Sequence, residues 1–250
     1  MQIDFYYFGY SCPINFETIE LLNSLDSAKF EVSITNIDDN VEIANSLNIY
    51  SPFLTIFDKK LRWHGPLTSK IINDIYNKKI SEDKPFILNQ SKIKFKGEII
   101  QLTTDNIYLI KDSCTMTDCY NSCIKKSNFL INKSDTTLLG YLNLNDGQVV
   151  GGAEYLPSLA VPYNIPKDNY TAFITCLYHS SAKFDYKYHP LKALENHLSS
   201  KYKKIIAITD ELGTYPNGTL KQFLSYGYKD EGILYQDGNY ATLHLVSKIL

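Results

Sequence analysis

The sequence predicts an α/β (α+β) protein with two domains, each built from a β-sheet and flanking helices. One observation is that short β-branched and aromatic runs alternate with segments whose apolar residues recur at helical spacing. The other is a lysine-rich stretch without a clean period over residues 81–96, which is typical of a linker. We therefore expect one domain at 1–80, a linker at 81–96 and a second domain at 97–250.

Composition limits the classes of function. With 25 Lys and Arg against 27 Asp and Glu, the net charge of −2 argues against a nucleic-acid partner. Arg62 is the only arginine, so a phosphate group would have to be held by lysine, hydroxyl or backbone N–H groups. No apolar run reaches the roughly 18 residues that cross a bilayer, and the start, MQIDFYYFGYSC, does not have the pattern of a signal peptide. Five unevenly spaced cysteines are typical of free thiols in a reducing compartment. We therefore expect a cytoplasmic protein, and the short apolar runs predict no membrane partner.

The first domain has a regular alternation of elements. The pattern predicts strands at 3–8, 30–37, 53–57 and 61–64, and helices at 15–25, 41–47 and 68–77. This order, β-α-β-α-β-β-α with Cys12-Pro13 at the first strand-to-helix junction, resembles the thioredoxin fold. In that resemblance, Ser51-Pro52 falls where the family carries a cis-proline.

The cysteine at this junction departs from the thioredoxin pattern. Asn15 stands where the second cysteine belongs, and a dithiol couple needs two sulfurs, so ordinary oxidoreductase activity is not expected. Cys12 lies at a helix N-terminus, where the dipole lowers a thiol pKa. It is either a nucleophilic or glutathione-linked thiol, or a small packing residue of a scaffold domain.

The second domain follows the order β-α-α-β-β-β-α-β-α-β-β. Strands are predicted at 98–102, 138–143, 148–155, 172–179, 204–209, 233–235 and 241–246. Asp146-Gly147 and Asp237-Gly238 mark two hairpins. Helices are predicted at 124–130, 190–202 and 218–226, with a further helical start near 103–110.

Three cysteines, Cys114, Cys119 and Cys123, precede the helix at 124–130. They could bind zinc if a fourth ligand came from elsewhere, but the sequence has no CxxC pair here and no histidine nearby. We favour a helical stretch with partly buried thiols, and we expect no metal.

The stretch 148–194 organises the second domain. A strand is followed by a proline-broken loop, a second strand, a polar turn at 180–189 and a helix that opens at Pro190. When a strand leads through a tight turn into a helix, the backbone N–H groups of the turn and of the first helical residues can bind an anion.

This half resembles the GNAT family of N-acetyltransferases, and more closely its YoaP-type branch, which couples a GNAT domain to a thioredoxin-like domain. The residues that carry the resemblance are the cysteine-rich patch before Lys125-Lys126, GGAEYLP at 151–157 and FITCLYHSSAKF at 173–184. In those relatives the thioredoxin-like part follows the acyltransferase part, whereas here it comes first.

The resemblance implies an acetyl-CoA-dependent N-acyltransferase that acts on a small amine or a peptide, with a thioredoxin-like domain shaping the acceptor side. It implies a gap between two parallel strands, near Cys176 and Ile206, where the pantetheine arm pairs with the backbone of Cys176, Leu177 and Tyr178. Asn217 touches the same arm, or caps the helix that follows it.

The loop after that strand should wrap the pyrophosphate, and this needs glycines because only they let the backbone approach phosphate oxygens closely. The three glycine positions of the resemblance fall on Tyr186, Tyr188 and Pro190, and Pro190 also lacks an N–H. Lys183, Lys187 and the tyrosine hydroxyls would have to hold the anion instead.

Catalysis needs a base for the amine and an acid for the leaving thiolate. The candidate base is Glu154, although a carboxylate at the edge of the sheet fits the pattern as well. Phe223 occupies the position of the usual tyrosine acid, and Tyr226, Tyr228 or Tyr235 could replace it; we select Tyr235.

Two histidines, His179 and His189, flank the turn and are further candidate bases. The missing glycines leave a second hypothesis open, a non-catalytic protein that holds a ligand or peptide in a groove lined by Tyr178, Tyr186 and Tyr188. The sequence leaves the oligomeric state open.

Overall fold

The computed structural model describes residues 1–38, 40–85, 87, 91–111, 120–134, 136–179, 181–213 and 217–250. These residues form two compact units. The first unit comprises Met1–Lys84, the described part of Thr115–Phe129, and Pro162–Asn164. The second comprises the described parts of Pro85–Cys114, Leu130–Val161 and Ile165–Leu250. The sequence-based boundaries at 80 and 96 stay a prediction.

The first unit is a four-stranded mixed sheet with helices. Its elements are β1 (Gln2–Tyr7), α1 (Pro13–Asn23), β2 (Glu31–Asn36), α2 (Val41–Ser46), β3 (Phe53–Phe57), β4 (Leu61–Trp63) and α3 (Ser69–Tyr76). The strand order is β2-β1-β3-β4, with β1 parallel to β2 and the other neighbours antiparallel. Apolar side chains such as Phe5, Phe57 and Ile72 form its buried core. Each predicted element is present within two residues of its expected bounds.

Asn15 has a structural role in this unit. Its side-chain N–H donates to the carbonyls of Gly9, at 2.7 Å, and of Pro52, at 3.2 Å, and the residue is fully buried. The asparagine therefore ties the start of α1 to the loop before β3. The peptide bond before Pro52 is trans, as are all peptide bonds in the described residues, so the expectation of a cis-proline is wrong.

The second unit contains a seven-stranded sheet. Its strands are β5 (Glu98–Thr103), β6 (Leu138–Asn145), β7 (Gln148–Pro157), β8 (Thr171–His179), β9 (Lys204–Asp210), β10 (Lys229–Asp237) and β11 (Ala241–Ile249). Its helices are α5 (Tyr188–Leu198) and α6 (Leu220–Ser225), and 3-10 turns lie at Ile107–Ile110 and Ser158–Ala160. Helix α4 (Tyr120–Ser134) belongs to the first unit as far as Phe129 and to the second from Leu130. The order is β10-β11-β9-β8-β7-β6-β5, in which β8 and β9 are parallel and all other neighbours are antiparallel.

Helix α5 covers the centre of this sheet. Its Leu191 and Leu194 are fully buried against sheet residues such as Ala153 and Leu177, and Phe223 of α6 joins the same core. Burying a leucine side chain contributes about 1.5–3 kcal/mol, so these contacts fix the helix on the sheet. The helix begins at Tyr188, two residues before the predicted start at Pro190.

The described cysteines Cys12, Cys123 and Cys176 are free thiols. Cys114 and Cys119 of the proposed zinc trio lie outside the described residues. Elsewhere in the described chain, no cluster of three or more His, Cys, Asp or Glu is arranged to hold a metal ion. Among the helices that the structure describes, none combines the length and the apolar character required to cross a bilayer.

Candidate functional site

The two parallel strands at the centre of the second unit separate along their length. The β8–β9 ladder consists of three pairs and ends at Phe173 and Ile206. Beyond that point β8 stays paired with β7 as far as His179, and β9 stays paired with β11 as far as Asp210. The two strands are therefore separated at Cys176, as predicted, whereas Ile206 still pairs with Phe173, and the role of the gap in receiving a ligand stays a prediction. The gap opens toward the C-terminal ends of both strands.

The side chain of Asn217 bridges this gap. The Asn217 carboxamide accepts a hydrogen bond from the Leu177 N–H of β8 at 3.0 Å and donates one to the Ile208 carbonyl of β9 at 3.0 Å. Asn217 is 1% exposed. It therefore replaces, with one side-chain amide, the main-chain pairing that the separated strands have lost. The alternative role of capping α6 is wrong, because the cap is Thr219, whose hydroxyl accepts from the Gln222 N–H.

The residues that follow Asn217 lie along the last part of β9. Thr219 forms a parallel bridge with Asp210, and the Thr209 hydroxyl donates to the Gly218 carbonyl. This short segment covers the C-terminal end of β9 and holds Asn217 in position in the gap.

The turn between β8 and α5 is closed by Asp185. One carboxylate oxygen accepts from the backbone N–H groups of Lys187, at 3.1 Å, and Tyr188, at 3.2 Å. The other accepts from the Tyr226 hydroxyl at 2.7 Å, and Asp185 is only 5% exposed. The free N–H groups of a helix start attract anions. Here an anionic side chain of the protein itself takes that place.

The predicted linker takes part in this turn. Asp185 donates its N–H to the Ile93 carbonyl at 2.8 Å, and its own carbonyl accepts from the Phe95 N–H at 3.1 Å. Asn143 of β6 donates to the carbonyls of Phe95, at 2.9 Å, and Tyr186, at 3.1 Å. The turn is thus fixed to a strand-like segment upstream of β5 and to the sheet.

Lys187 is the one lysine of this turn that is buried. It is 2% exposed, and burial lowers its pKa to about 8, while the nearby Cys176 and Asp185 oppose that shift. Its amine can exchange a proton near neutral pH. Lys183, by contrast, is exposed to solvent.

The other predicted residues of the turn pack against neighbours. Tyr186 is buried, and its ring meets Phe95 edge-on at 5.3 Å between centroids. The Lys94 ammonium lies 3.5 Å from the centroid of the Tyr188 ring. Burial lowers the pKa of His189, and the charges of Lys96 and Lys94 lower it further.

Strands β7 and β8 bring Glu154 and Cys176 together. The two residues are direct cross-strand partners, so their side chains point to the same face of the sheet. Glu154 is fully buried and Cys176 is partly exposed. Tyr178 lies on that face too and covers Gly152, where an added Cβ would come within 2.4 Å of the tyrosine ring.

Tyr235 lies elsewhere on the sheet. It is on β10, and β11, β9 and β8 lie between that strand and β7, which carries Glu154. Four strand spacings correspond to roughly 19 Å, so the proposed base and acid are not neighbours. The His179 side chain, and the Tyr215-Pro216 pair before Asn217, lie outside the described residues.

The residues present fit the pantetheine arm of a coenzyme A thioester and fit its diphosphate poorly. The gap offers main-chain groups that already hold an amide, which fits the amide-bearing pantetheine arm. The helix start fits a diphosphate poorly, because the N–H groups of Lys187 and Tyr188 are bonded to Asp185 and Pro190 has none. A cavity of about 180 Å³, including space open to solvent, lies at this turn between Phe184, Lys187 and Gln222. Small-molecule sites usually exceed about 300 Å³.

The sequence analysis did not predict the role of Asp185 or the strand-like segment at 92–96. Asp185 had a usable signal, since an Asp shortly before a helix is a preferred capping residue. The alternation Lys-Ile-Lys-Phe-Lys at 92–96 is the period-2 pattern of a strand and would have indicated the segment that pairs with Asp185.

Comparison with known proteins gives structural neighbours only. No family model matches the chain, and no curated protein matches it. Among solved structures, an aminoglycoside 6'-acetyltransferase type Ii is similar over 61% of this chain and 96% of its own, with 15% identity and a TM-score of 0.46. An N-acetyltransferase from Staphylococcus aureus Mu50 is similar over 61% of this chain and 97% of its own, with 14% identity and a TM-score of 0.46.

An acetyltransferase of the GNAT family from Streptococcus pneumoniae is similar over 61% of this chain and 98% of its own, with 9% identity and a TM-score of 0.45. At these identities and scores, likeness does not establish a shared function, which has to be tested on this chain.

Proposed function

We propose that the second unit is an N-acyltransferase of the GNAT type, which takes a thioester of the acetyl-CoA kind and passes its acyl group to an amine. The observation that carries the proposal is the separation of two parallel strands after Phe173 and Ile206, while each stays paired on its outer side. Such a gap presents main-chain donors and acceptors to an extended ligand, as in strand addition.

The Asn217 bridge supports this proposal. Its carboxamide shows that an amide fits between the Leu177 N–H and the Ile208 carbonyl with good hydrogen-bond lengths. A pantetheine arm carries amides of the same kind. Rotation of one side chain therefore frees both main-chain groups for the ligand.

Acyl transfer forms a bond between the amine nitrogen and the acyl carbon and breaks the bond from that carbon to sulfur. The nitrogen loses a proton and the leaving thiolate gains one. We assign the first step to Glu154, which lies on the same face as Cys176 beside the gap. The second proton was assigned to Tyr235 from the sequence, but that residue lies four strands from Glu154, so Lys187 is the donor that this geometry favours. Lys187 is near Cys176, and its pKa of about 8 is close to that of an ordinary thiol.

The proposal is tested by calorimetry and by an acetylation assay with small amines and peptides. We expect acetyl-CoA to bind in the micromolar range, about −8 kcal/mol in standard free energy. Glu154→Gln should lower kcat with little change in that affinity, since the side chain acts on the acceptor amine. Absence of both heat and thermal shift at millimolar acetyl-CoA would reject the acyltransferase.

The first unit is proposed to have a thioredoxin-like fold. Support comes from its mixed sheet in the order β2-β1-β3-β4 and from Cys12 immediately before α1. Asn15, which bonds to two backbone carbonyls, supports a scaffold domain over a redox domain.

A second candidate function is favoured by one observation. Asp185 fills the helix start where a phosphate group would bind, which is typical of a scaffold that has lost its cofactor. On this hypothesis the protein holds a ligand or peptide beside Tyr178, Tyr186 and Tyr188 without catalysis. Binding of a thioester without any turnover over a panel of amines would favour it.

A further inference from the structure

We infer that this protein recognises its acyl donor through the pantetheine arm alone, and that a nucleotide diphosphate adds nothing to the affinity because Asp185 occupies the anion position. The inference rests on the proposed function and specifies its donor: a pantetheine thioester, with or without a nucleotide attached.

The hydrogen bonds of Asp185 use the donors that a diphosphate would need. Two are backbone N–H groups at the start of α5, from Lys187 and Tyr188, and the third is the Tyr226 hydroxyl. The next positions of the helix cannot replace them fully, since Pro190 has no N–H. Asp185 therefore uses the Lys187 and Tyr188 donors of the helix start, and Pro190 offers none.

Asp185 is also difficult to displace. Its backbone forms hydrogen bonds on both sides, to Ile93 and Phe95, and the side chain is 5% exposed. Tyr226 is itself buried, so moving the carboxylate away would leave a buried hydroxyl without its acceptor. An unsatisfied buried polar group costs about 1–3 kcal/mol.

The negative charge of Asp185 also disfavours a diphosphate at the helix start. A diphosphate at the helix start would lie against the Asp185 carboxylate, and like charges in a buried position repel each other strongly. Lys183 is exposed, and the positive charges of Lys187, Lys94 and Lys96 near the same turn offset only part of this repulsion. The gap between β8 and β9, in contrast, contains the neutral amide of Asn217 and favours a neutral, amide-bearing arm.

The experiment is calorimetric titration of the full chain with three probes: pantetheine, 4'-phosphopantetheine and coenzyme A. We expect dissociation constants that agree within about threefold, because the arm supplies the binding energy. Coenzyme A binding more than about threefold tighter than pantetheine overturns the inference and leaves the proposed acyltransferase function in place. If no probe binds at millimolar concentration, both the inference and the proposed function fail.

A variant makes the role of the carboxylate explicit. Asp185→Asn keeps an oxygen for the two N–H groups and removes the charge. It should strengthen coenzyme A binding by about three- to tenfold and leave pantetheine binding unchanged. An unchanged ratio of the two affinities overturns the inference. Asp168→Asn is the matched control, since Asp168 also accepts a backbone N–H, from Tyr170, beside the paired end of β8.

Circular dichroism establishes that both variants are folded before titration. If Asp185→Asn does not fold, the affinities of the three probes for the unaltered chain are sufficient to support or overturn the inference.

Discussion

Replacing Asn217 by alanine should release the Leu177 amide of β8. The change deletes two hydrogen bonds of 3.0 Å, one from the Leu177 N–H and one to the Ile208 carbonyl, at a position that is 1% exposed. A buried backbone group without its partner costs about 1–3 kcal/mol. For two groups, with some relief from entering water, we expect a loss of about 2–4 kcal/mol in local stability.

Hydrogen exchange measures this loss at the residue concerned. A cost of about 2–4 kcal/mol corresponds to a roughly 30- to 1000-fold faster exchange of the Leu177 amide. Asn77→Ala is the control, because Asn77 also donates to a backbone carbonyl, that of Asn73, but at an exposed site. It should change stability by less than about 0.5 kcal/mol. Unchanged exchange at Leu177 in the Asn217 variant would refute the view that this side chain holds the two strands.

Three further substitutions test the surroundings of the gap. Burial lowers the pKa of the Lys187 amine from 10.5 to about 8, so the unfolded chain binds more protons than the folded one between these pH values. The free energy of unfolding should therefore rise by up to about 3 kcal/mol between pH 8 and 10.5, as measured by urea unfolding. Lys187→Met should abolish this rise. Gly152→Ala should cost about 1–3 kcal/mol in thermal unfolding, because its Cβ would lie 2.4 Å from the Tyr178 ring. Glu195→Gln should cost about 1–3 kcal/mol in urea unfolding, because the Lys248 ammonium lies 2.5 Å from this buried carboxylate.

Each of these substitutions has a matched control. Lys183→Met changes an exposed lysine of the same turn and should leave the pH dependence as it is. Gly65→Ala adds a Cβ at 3.4 Å from the nearest atom, of Trp63, and should be tolerated. Glu82→Gln alters an exposed carboxylate. Equal effects in a substitution and its control would contradict the corresponding reasoning.

The sequence predicted most of the elements because their boundaries carry local signals. Phe53–Phe57 was predicted to the residue, since a Ser-Pro turn precedes it and Asp58-Lys59-Lys60 follows. Strand β10 was predicted only at 233–235 but spans Lys229–Asp237. Two irregularities in its pairing with β11, at Asp230/Gly232 and Ile233/Tyr235, break the alternation on which a strand prediction depends.

The site was predicted less completely, because its decisive contacts join distant residues. The gap near Cys176 followed from the resemblance, but the bond between Leu177 and Asn217 spans 40 residues and leaves no local pattern. The same holds for Asp185 and Tyr226, which are 41 residues apart. Spacing along the chain can indicate a helix start, whereas the side chain that fills it depends on the packed structure.

The segment around Ile93 and Phe95 affects how this protein can be divided for expression. A polypeptide cut at the sequence-based boundary, residue 97, would lose the backbone partners on both sides of Asp185. Its turn could then rearrange, and a diphosphate would meet a different surface from that of the intact chain. Ligand screening on such a shortened protein would misjudge specificity, so a recombinant second unit should begin before Ser91.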